Sequence, residues 1–463
     1  PTATGNPFET VTPTPSGSIT PTVTPSSSPG PLRVLASNPR YFTNDGVTAV
    51  YMAGSHTWYN LQDMSPNNPP KAFRYDDYLN FMKQKGHNFM RMWIWMSPHA
   101  GDAGGVGLNN VAPMMYQRSG EKYNLDQFNN AFFDRLRQRV TQAKAKGIYV
   151  SIMLFEGHDA QAEDIWKYHP YNGANNANGV TGSGGGEFWS LGNSKVLRYQ
   201  EAYVKKIIDT VNDLDNVLYE ICNECVPTSA QWQEHMVDVV HNYERTKPKQ
   251  HPVGLTFAAN GSNSVMRDSK AEWIAPVNGN YNKSSNAYVS NPPVADGKKV
   301  EVSDSDHLAF DLFMNDGDIG RMWVWKSFTR GLNPILMEPM PSSIKNGNIL
   351  NGNHSDGDAS GWNTIRTAMG DTVRYATRMN LAAMKPNKTV CSTQYCLVSN
   401  DEYLVYAPNG GTFTVNLAVG SFTAEWFNPR TSQKSNGGTK TGGSFQSFQS
   451  PGSGDWVLYL KKS

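Results

Sequence analysis

The stretch Val217-Leu218-Tyr219-Glu220-Ile221-Cys222-Asn223-Glu224 carries the most explicit chemistry in the chain. Its apolar and aromatic residues read as one short buried strand, and the sequence turns polar directly afterwards. A carboxylic acid at the end of such a strand can donate a proton once burial or a second carboxylate raises its pKa. Glu224 is therefore the candidate acid, and Asn223 beside it can hydrogen-bond a hydroxyl group. Acid-assisted cleavage of an acetal also needs a second carboxylate, to attack or to activate water. Three residues qualify: Asp304 at the end of a strand over Lys299–Asp304, Asp306 two residues on, and Glu338 after a strand over Pro334–Met337.

Other polar and aromatic residues fall at strand ends or in loops, where they can bind hydroxyls or stack on a ring. They are His56 and Trp58, Arg91 and Trp95, Glu156, His158 and Asp159, Trp166, His307 and Trp325. Arg91 can bind a carboxylate or fix Glu224, or instead pair with Glu220 in the core. Trp325 fits the core from its helix as well as it fits a ligand.

These residues need a scaffold, and the hydrophobic periodicity supplies one. Strands are predicted over Val47–Gly54, Asn88–Trp93, Ile148–Phe155, the stretch before Asn223, Pro252–Phe257, Ala271–Ala275, Lys299–Asp304 and Pro334–Met337. Helical spacing lies between them, over Tyr75–Lys85, Leu125–Lys146, Val196–Leu214, Ala230–Thr246, Ile319–Gly331 and Ser360–Met384. This alternation predicts an α/β fold, a (β/α)8 TIM barrel, whose chemistry sits at the carboxyl ends of its strands. From about Pro386 the period shortens, with strands expected over Cys391–Cys396, Tyr403–Ala407, Thr412–Leu417, Phe422–Asn428 and Trp456–Leu460. They predict a small C-terminal antiparallel β-sandwich, read as a rigid cap on the barrel in preference to a carbohydrate-binding module. The expected division is a Thr/Pro/Ser-rich linker over 1–30, a catalytic barrel over 31–385 and the sandwich over 386–463.

Composition narrows the function. The formal net charge of the 463 residues is +1 and charged residues make up 17 %, which gives no basic footprint for nucleic acid. No apolar run is long enough to span a membrane. The 12 Trp and 21 Tyr, many in predicted loops, suit a neutral, extended ligand such as a sugar chain. Four cysteines form two close pairs, Cys222 with Cys225 and Cys391 with Cys396, which permit two small disulfides without requiring them.

A buried strand ending in Asn-Glu resembles the fourth strand of the large clan of glycoside hydrolases built on a (β/α)8 barrel. In that clan the Asn holds the sugar group next to the bond being cut, and a Glu usually closes strand seven. Here Asp304 stands at that place, one methylene shorter, which leaves open an inverting mechanism, with carboxyl groups about 6.5–9.5 Å apart, against about 5.5 Å for retention. Gly54-Ser55-His56-Thr57-Trp58, Tyr219 to Glu224, Ser303 to His307, Lys326-Ser327-Phe328 with Arg330 to Pro334, and Gly454-Asp455-Trp456-Val457-Leu458 are together similar to apiosidase-like families. Those families carry a small sandwich named for collagen binding, and the likeness covers 32–463.

The resemblance implies hydrolysis of O-glycosidic bonds in plant or microbial polysaccharide or oligosaccharide. Glu224 would be the acid and Asp304 the nucleophile or base, with Asp306 and Glu338 as alternatives. No cofactor and no catalytic metal are expected. The expected protein is a secreted, extracellular monomer, joined by its linker to a further upstream domain. Two other readings remain: a non-catalytic carbohydrate-binding protein, and a metal-dependent hydrolase using His56, His158, Asp304, Asp306 and His307, with a structural calcium site over Asn353–Asp358 compatible with glycosidase function.

Overall fold

The computed structural model describes residues 29–101, 108–256, 263–277, 287–307, 313, 316–348 and 357–463. Residues 1–28 of the predicted linker, most of the loop over Asn353–Asp358, and the side chains of Asp159 and His307 lie outside the described residues.

Eight parallel strands close into a barrel in chain order: β1 Gly54–His56, β2 Phe89–Met92, β3 Tyr149–Glu156, β4 Val217–Asn223, β5 Val253–Thr256, β6 Trp273–Ala275, β7 Val300–Asp304 and β8 Asn333–Met337. Closure comes from β8 against β1, with Ile335 opposite Gly54 and Met337 opposite His56. A helix follows each strand: α1 Tyr75–Lys85, α2 Asn130–Ala145, α3 Ser194–Val211, α4 Ala230–Glu244, α5 Asn263–Asp268, α6 Ala287–Ser290, α7 Gly317–Thr329 and α8 Ser360–Arg378. Local chemistry sets their ends. Gly86 caps α1 in the left-handed conformation, its N–H on the Met82 and Lys83 carbonyls; the side chains of Asn129, Asn193 and Asp316 accept from the first turns of α2, α3 and α7.

Inside the barrel, Phe89, Leu218, Trp273, Ala275, Val300, Val302 and Ile335 pack with Leu32 and Phe42. Leu32 precedes, and Phe42 belongs to, the antiparallel pair Arg33–Val34 and Phe42–Thr43. Gly254 on β5 lets Trp273 fill the interior, because a Cβ there would lie 1.8 Å from the Trp273 ring.

Two expectations about the barrel need correction. The first strand is Gly54–His56 and not Val47–Gly54, because the Met52 and Ala53 amides bond to the side chains of Asn333 and Asn88 and leave the ladder. The helix predicted from Leu125 begins at Asn130, since Lys122–Phe128 pairs with Tyr116–Ser119 as a hairpin.

Beyond the barrel, β9 Lys385–Pro386, β10 Cys396–Val398, β11 Glu402–Ala407, β16 Trp456–Lys462, β13 Ser421–Asn428 and β14 Gln433–Thr441 form one sheet in that spatial order. Strands β12 Gly410–Asn416 and β15 Phe445–Ser453 form a second, antiparallel pair. Phe413, Val415, Phe448 and Trp426 lie in the core that the two sheets share. Strands β14 and β15 went unpredicted, being rich in Ser, Gln, Gly and Asn, and much of β14 is solvent-exposed. The segment from Cys391 is a disulfide-closed turn and becomes strand only at Cys396.

The sandwich is packed directly on α7 and α8. Trp325, fully buried, meets Tyr375 of α8 and Tyr406 and Phe427 of the sandwich at ring-centroid distances of 5.6–6.2 Å. Beside it Arg321 makes a two-pronged pair with buried Asp455, at 3.0 and 2.9 Å, and the Tyr406 hydroxyl donates to the same carboxylate. Trp325 is therefore part of the domain interface and not a ligand platform, which corrects the sequence-based expectation.

Candidate active site

Alternation along the strands decides which polar side chains meet. Phe89, Leu218 and Val302 lie in the interior core, so Arg91, Glu220 and Asp304, each two residues further on, share that face. Arg91 Nε donates to Glu220 Oε2 at 2.8 Å, and Nη2 bonds both Glu220 Oε1 and, at 2.8 Å, Asn223 Oδ1. Its Nη1 reaches Asp304 Oδ2 and Asp306 Oδ2, each at 3.3 Å. Burial alone would lower the Arg91 pKa, but Glu220, Asp304 and Asp306 outweigh it and raise it, so the guanidinium is a fixed positive charge. Arg91 thus makes the core pair with Glu220 and also binds the carboxylates of Asp304 and Asp306, at and just after the end of β7.

Asp304 is held from a second direction by β1. The Trp93 indole N–H donates to His56 Nδ1 at 2.7 Å, which leaves the proton of the neutral ring on Nε2, 3.1 Å from Asp304 Oδ1. Burial lowers the His56 pKa against the pull of Asp304, in keeping with a neutral imidazole. The backbone N–H of Asp306 donates to the same Asp304 oxygen at 3.0 Å. Asp304 therefore has donors on both oxygens, an arrangement that suits a carboxylate.

Asp306 is more open, with 11 % of its side chain exposed. Burial, then the neighbouring Asp304 and Glu224, raise its pKa well above the ordinary aspartate range, against the opposite pull of Arg91 and His158. Glu224, Asp304 and Asp306 thus form one interacting group of carboxyls, with the exposed His158 within reach of their field.

Glu224 itself has φ = 48°, a left-handed conformation that costs a residue with a Cβ roughly 1–2 kcal/mol. Its surroundings impose it. Cys222 and Cys225, both buried, form a disulfide across the Asn223-Glu224 turn. The Thr256 hydroxyl donates to the Cys222 carbonyl at 2.6 Å, the Gly157 N–H to that of Asn223 at 2.8 Å, and the Gln161 amide to that of Glu224 at 2.8 Å. Gly157 must lack a Cβ, which would stand 2.6–2.7 Å from the backbone of residues 223–225.

Aromatic rings wall one side. Trp93 and Trp95 lie near-parallel at 5.5 Å, Trp58 is 6.1 Å from each, and the Trp95 indole N–H donates to the Trp58 carbonyl. Trp58 is the partly exposed member of the three. Trp93 was missed as a site residue because it was counted as the last residue of a strand; its phase, two residues after Arg91, was the available signal.

Other predicted site residues stand elsewhere. Glu338 does not join the cluster: its Oε1 binds Arg366 of α8, which also donates to the carbonyls of Pro339 and Gly357. Ile335 lies in the interior core and Leu336 on the helix side, so Glu338 follows Leu336 outward. The Trp166 ring stacks on His169 at 4.4 Å within the segment after β3. Glu156, at the end of β3, accepts the His158 backbone N–H at 2.7 Å. Among the described residues, no group of three or more His, Cys, Asp and Glu is arranged to hold a metal ion.

The strand ends thus assemble an interacting group of three carboxyls, a fixed cation and an aromatic wall, the parts that acid-assisted cleavage of a sugar acetal needs. Comparison with known proteins agrees. Residues 385–461 match the domain family described as the collagen-binding domain of a collagenase. Among solved structures, a glycoside hydrolase family 5 protein from Bacteroides vulgatus is similar at a TM-score of 0.62 and 13 % identity, over 94 % of each chain. A second glycoside hydrolase is similar at 0.61 and 13 %, over 94 % of this chain and 97 % of its own. The noncanonic maltogenic α-amylase AmyB from Thermotoga neapolitana follows at 0.51 and 9 %, over 89 % of this chain and 99 % of its own. At such identities these likenesses speak for the fold alone. No curated protein matches the sequence. Residues 50–303, more than half of the chain, match the cellulase family, and the protein is accordingly a member of glycosyl hydrolase family 5.

Proposed function

We propose that this glycoside hydrolase cleaves O-glycosidic bonds in a plant or microbial polysaccharide or oligosaccharide, with Glu224 as general acid and Asp304 as nucleophile or base. The observation that carries this reading is the shared field of Glu224, Asp304 and Asp306 beside Arg91. Glu224 stands beside the carboxyl of Asp306, while His56 and Arg91 supply donors to Asp304. Asn223, held through its oxygen by Arg91, is the residue proposed to hydrogen-bond a sugar hydroxyl. Trp58, backed by Trp93 and Trp95, offers a face for a sugar ring. The two disulfides and the Thr/Pro/Ser-rich first thirty residues support a secreted, extracellular enzyme tethered to a further domain.

The test is hydrolysis of a panel of polysaccharides and aryl glycosides by wild type, Glu224→Gln and Asp304→Asn, following the anomer of the first product. Both variants should fall at least about a thousandfold in kcat, and the anomer assigns retention or inversion. Turnover by Glu224→Gln at the wild-type rate on a substrate with a poor leaving group would remove the assignment of the acid.

A further inference from the structure

We infer that the Cys222–Cys225 disulfide is a positioning device for general acid catalysis, holding Glu224 in its left-handed turn so that its carboxyl joins Asp306 and Asp304. The inference rests on the proposed role of Glu224 as the acid.

A crosslink over three residues closes a very short loop, and the stabilisation gained by restricting the unfolded chain is smallest for such loops. Both sulfurs are buried against the barrel, so the bond is not a surface staple either. Its effect is local. The carbonyls of residues 222, 223 and 224 are held by Thr256, Gly157 and Gln161, from β5 and from the segment after β3. Those hydrogen bonds hold the turn from the sides of both flanking strands. The disulfide closes the turn on itself, joining Cα atoms 6.0 Å apart and leaving the peptide units around Glu224 little freedom to return to right-handed geometry. Without it, the Glu224 side chain would leave from a rotated Cα and the carboxyl would shift away from the leaving-group oxygen. A displacement on the order of 1 Å at a reacting group lowers a rate about a hundredfold.

General acid catalysis has its own signature. A phenolate needs protonation as it leaves, whereas 2,4-dinitrophenolate leaves unaided. The experiment measures kcat and KM for phenyl and 2,4-dinitrophenyl glycosides of the sugar identified by the substrate panel. The proteins are wild type, Cys222→Ala/Cys225→Ala, Glu224→Gln, the triple variant, and Cys391→Ala/Cys396→Ala as a control for loss of a disulfide away from the site.

With the phenyl glycoside, Cys222→Ala/Cys225→Ala should lose ten- to a hundredfold in kcat, with KM within about twofold. The loss should be several times smaller with the dinitrophenyl glycoside and absent when Glu224 is already Gln. The Cys391→Ala/Cys396→Ala control should keep wild-type kcat on both. Equal losses on the two substrates, a further loss in the Glu224→Gln background, an unchanged kcat, or a variant that no longer folds at 25 °C would each overturn the inference. If Glu224→Gln itself shows no dependence on the leaving group, the assignment of the acid fails, whatever the disulfide does.

Discussion

Two carboxylates close adjacent strands of the barrel and end in opposite situations. Asp304, on β7, faces inward and shares Arg91 with Glu220 and Asp306. Glu338, after β8, faces outward, and its carboxylate has Arg366 to itself. The difference is one of stoichiometry as much as of direction. The Glu338–Arg366 pair balances charge for charge, and burial alone raises the Glu338 pKa, against the pull of Arg366. For one that shares a single guanidinium with its neighbours, their negative charge adds to burial, and the two together raise the proton affinity of Asp306.

The strongest way to break this contrast is to neutralise each carboxylate in turn. Asp304→Asn should lower kcat at least about a thousandfold with little change in melting temperature, measured by steady-state kinetics and calorimetry. Glu338→Gln should do the reverse, keeping kcat within about threefold while lowering stability by about 3 kcal/mol, because Arg366 is left without its counter-charge.

A smaller effect separates the two aspartates of the cluster. Burial, then Asp304 and Glu224, raise the Asp306 pKa, so the folded protein holds this proton more tightly than the unfolded chain. The stability linked to that proton is complete below the ordinary aspartate pKa and is lost as pH rises through the raised value. Asp306→Asn keeps the side chain neutral at every pH. Its melting temperature should therefore exceed that of wild type at pH 8 and converge with it toward pH 4, while turnover persists. Loss of turnover in Asp306→Asn, with Asp304→Asn still active, would exchange the roles of the two residues.

The smallest expected change sharpens the role of His56. Trp93→Phe removes the N–H that fixes the imidazole tautomer and keeps most of the ring surface. A loss of three- to tenfold in kcat, with KM nearly unchanged, is expected from kinetics of the purified variant; an unchanged kcat would make that bond structural only.

Much of this arrangement was legible in the sequence, for a physical reason. A barrel strand is a short apolar run ending in polar residues, so position along the chain locates the working end, and Asn223, Glu224, Asp304 and Arg91 were found there. Position alone does not give direction. Glu338 was grouped with Asp304 because both follow strands, although a one-residue difference in phase turns a side chain from the interior to the helix layer. Trp325 was ambiguous because its partners, Tyr406 and Phe427, come from a domain eighty or more residues downstream, and no local pattern announces that contact. Strands β14 and β15 carry too few apolar residues for periodicity to reveal them.

The crowding around Arg91 also bears on which glycans can enter. Three carboxyl groups, those of Glu220, Asp304 and Asp306, share one guanidinium, Glu224 adds its field at Asp306, and the surplus is anionic. A uronic acid or a sulfated ring at the point of cleavage would bring another anion into that field and be repelled, more strongly at low ionic strength. Neutral hexoses and pentoses meet no such barrier, and an amino sugar would be drawn in. On the proposed function, the same ion-pair geometry would act as a charge filter, sorting glycans before any hydroxyl is read.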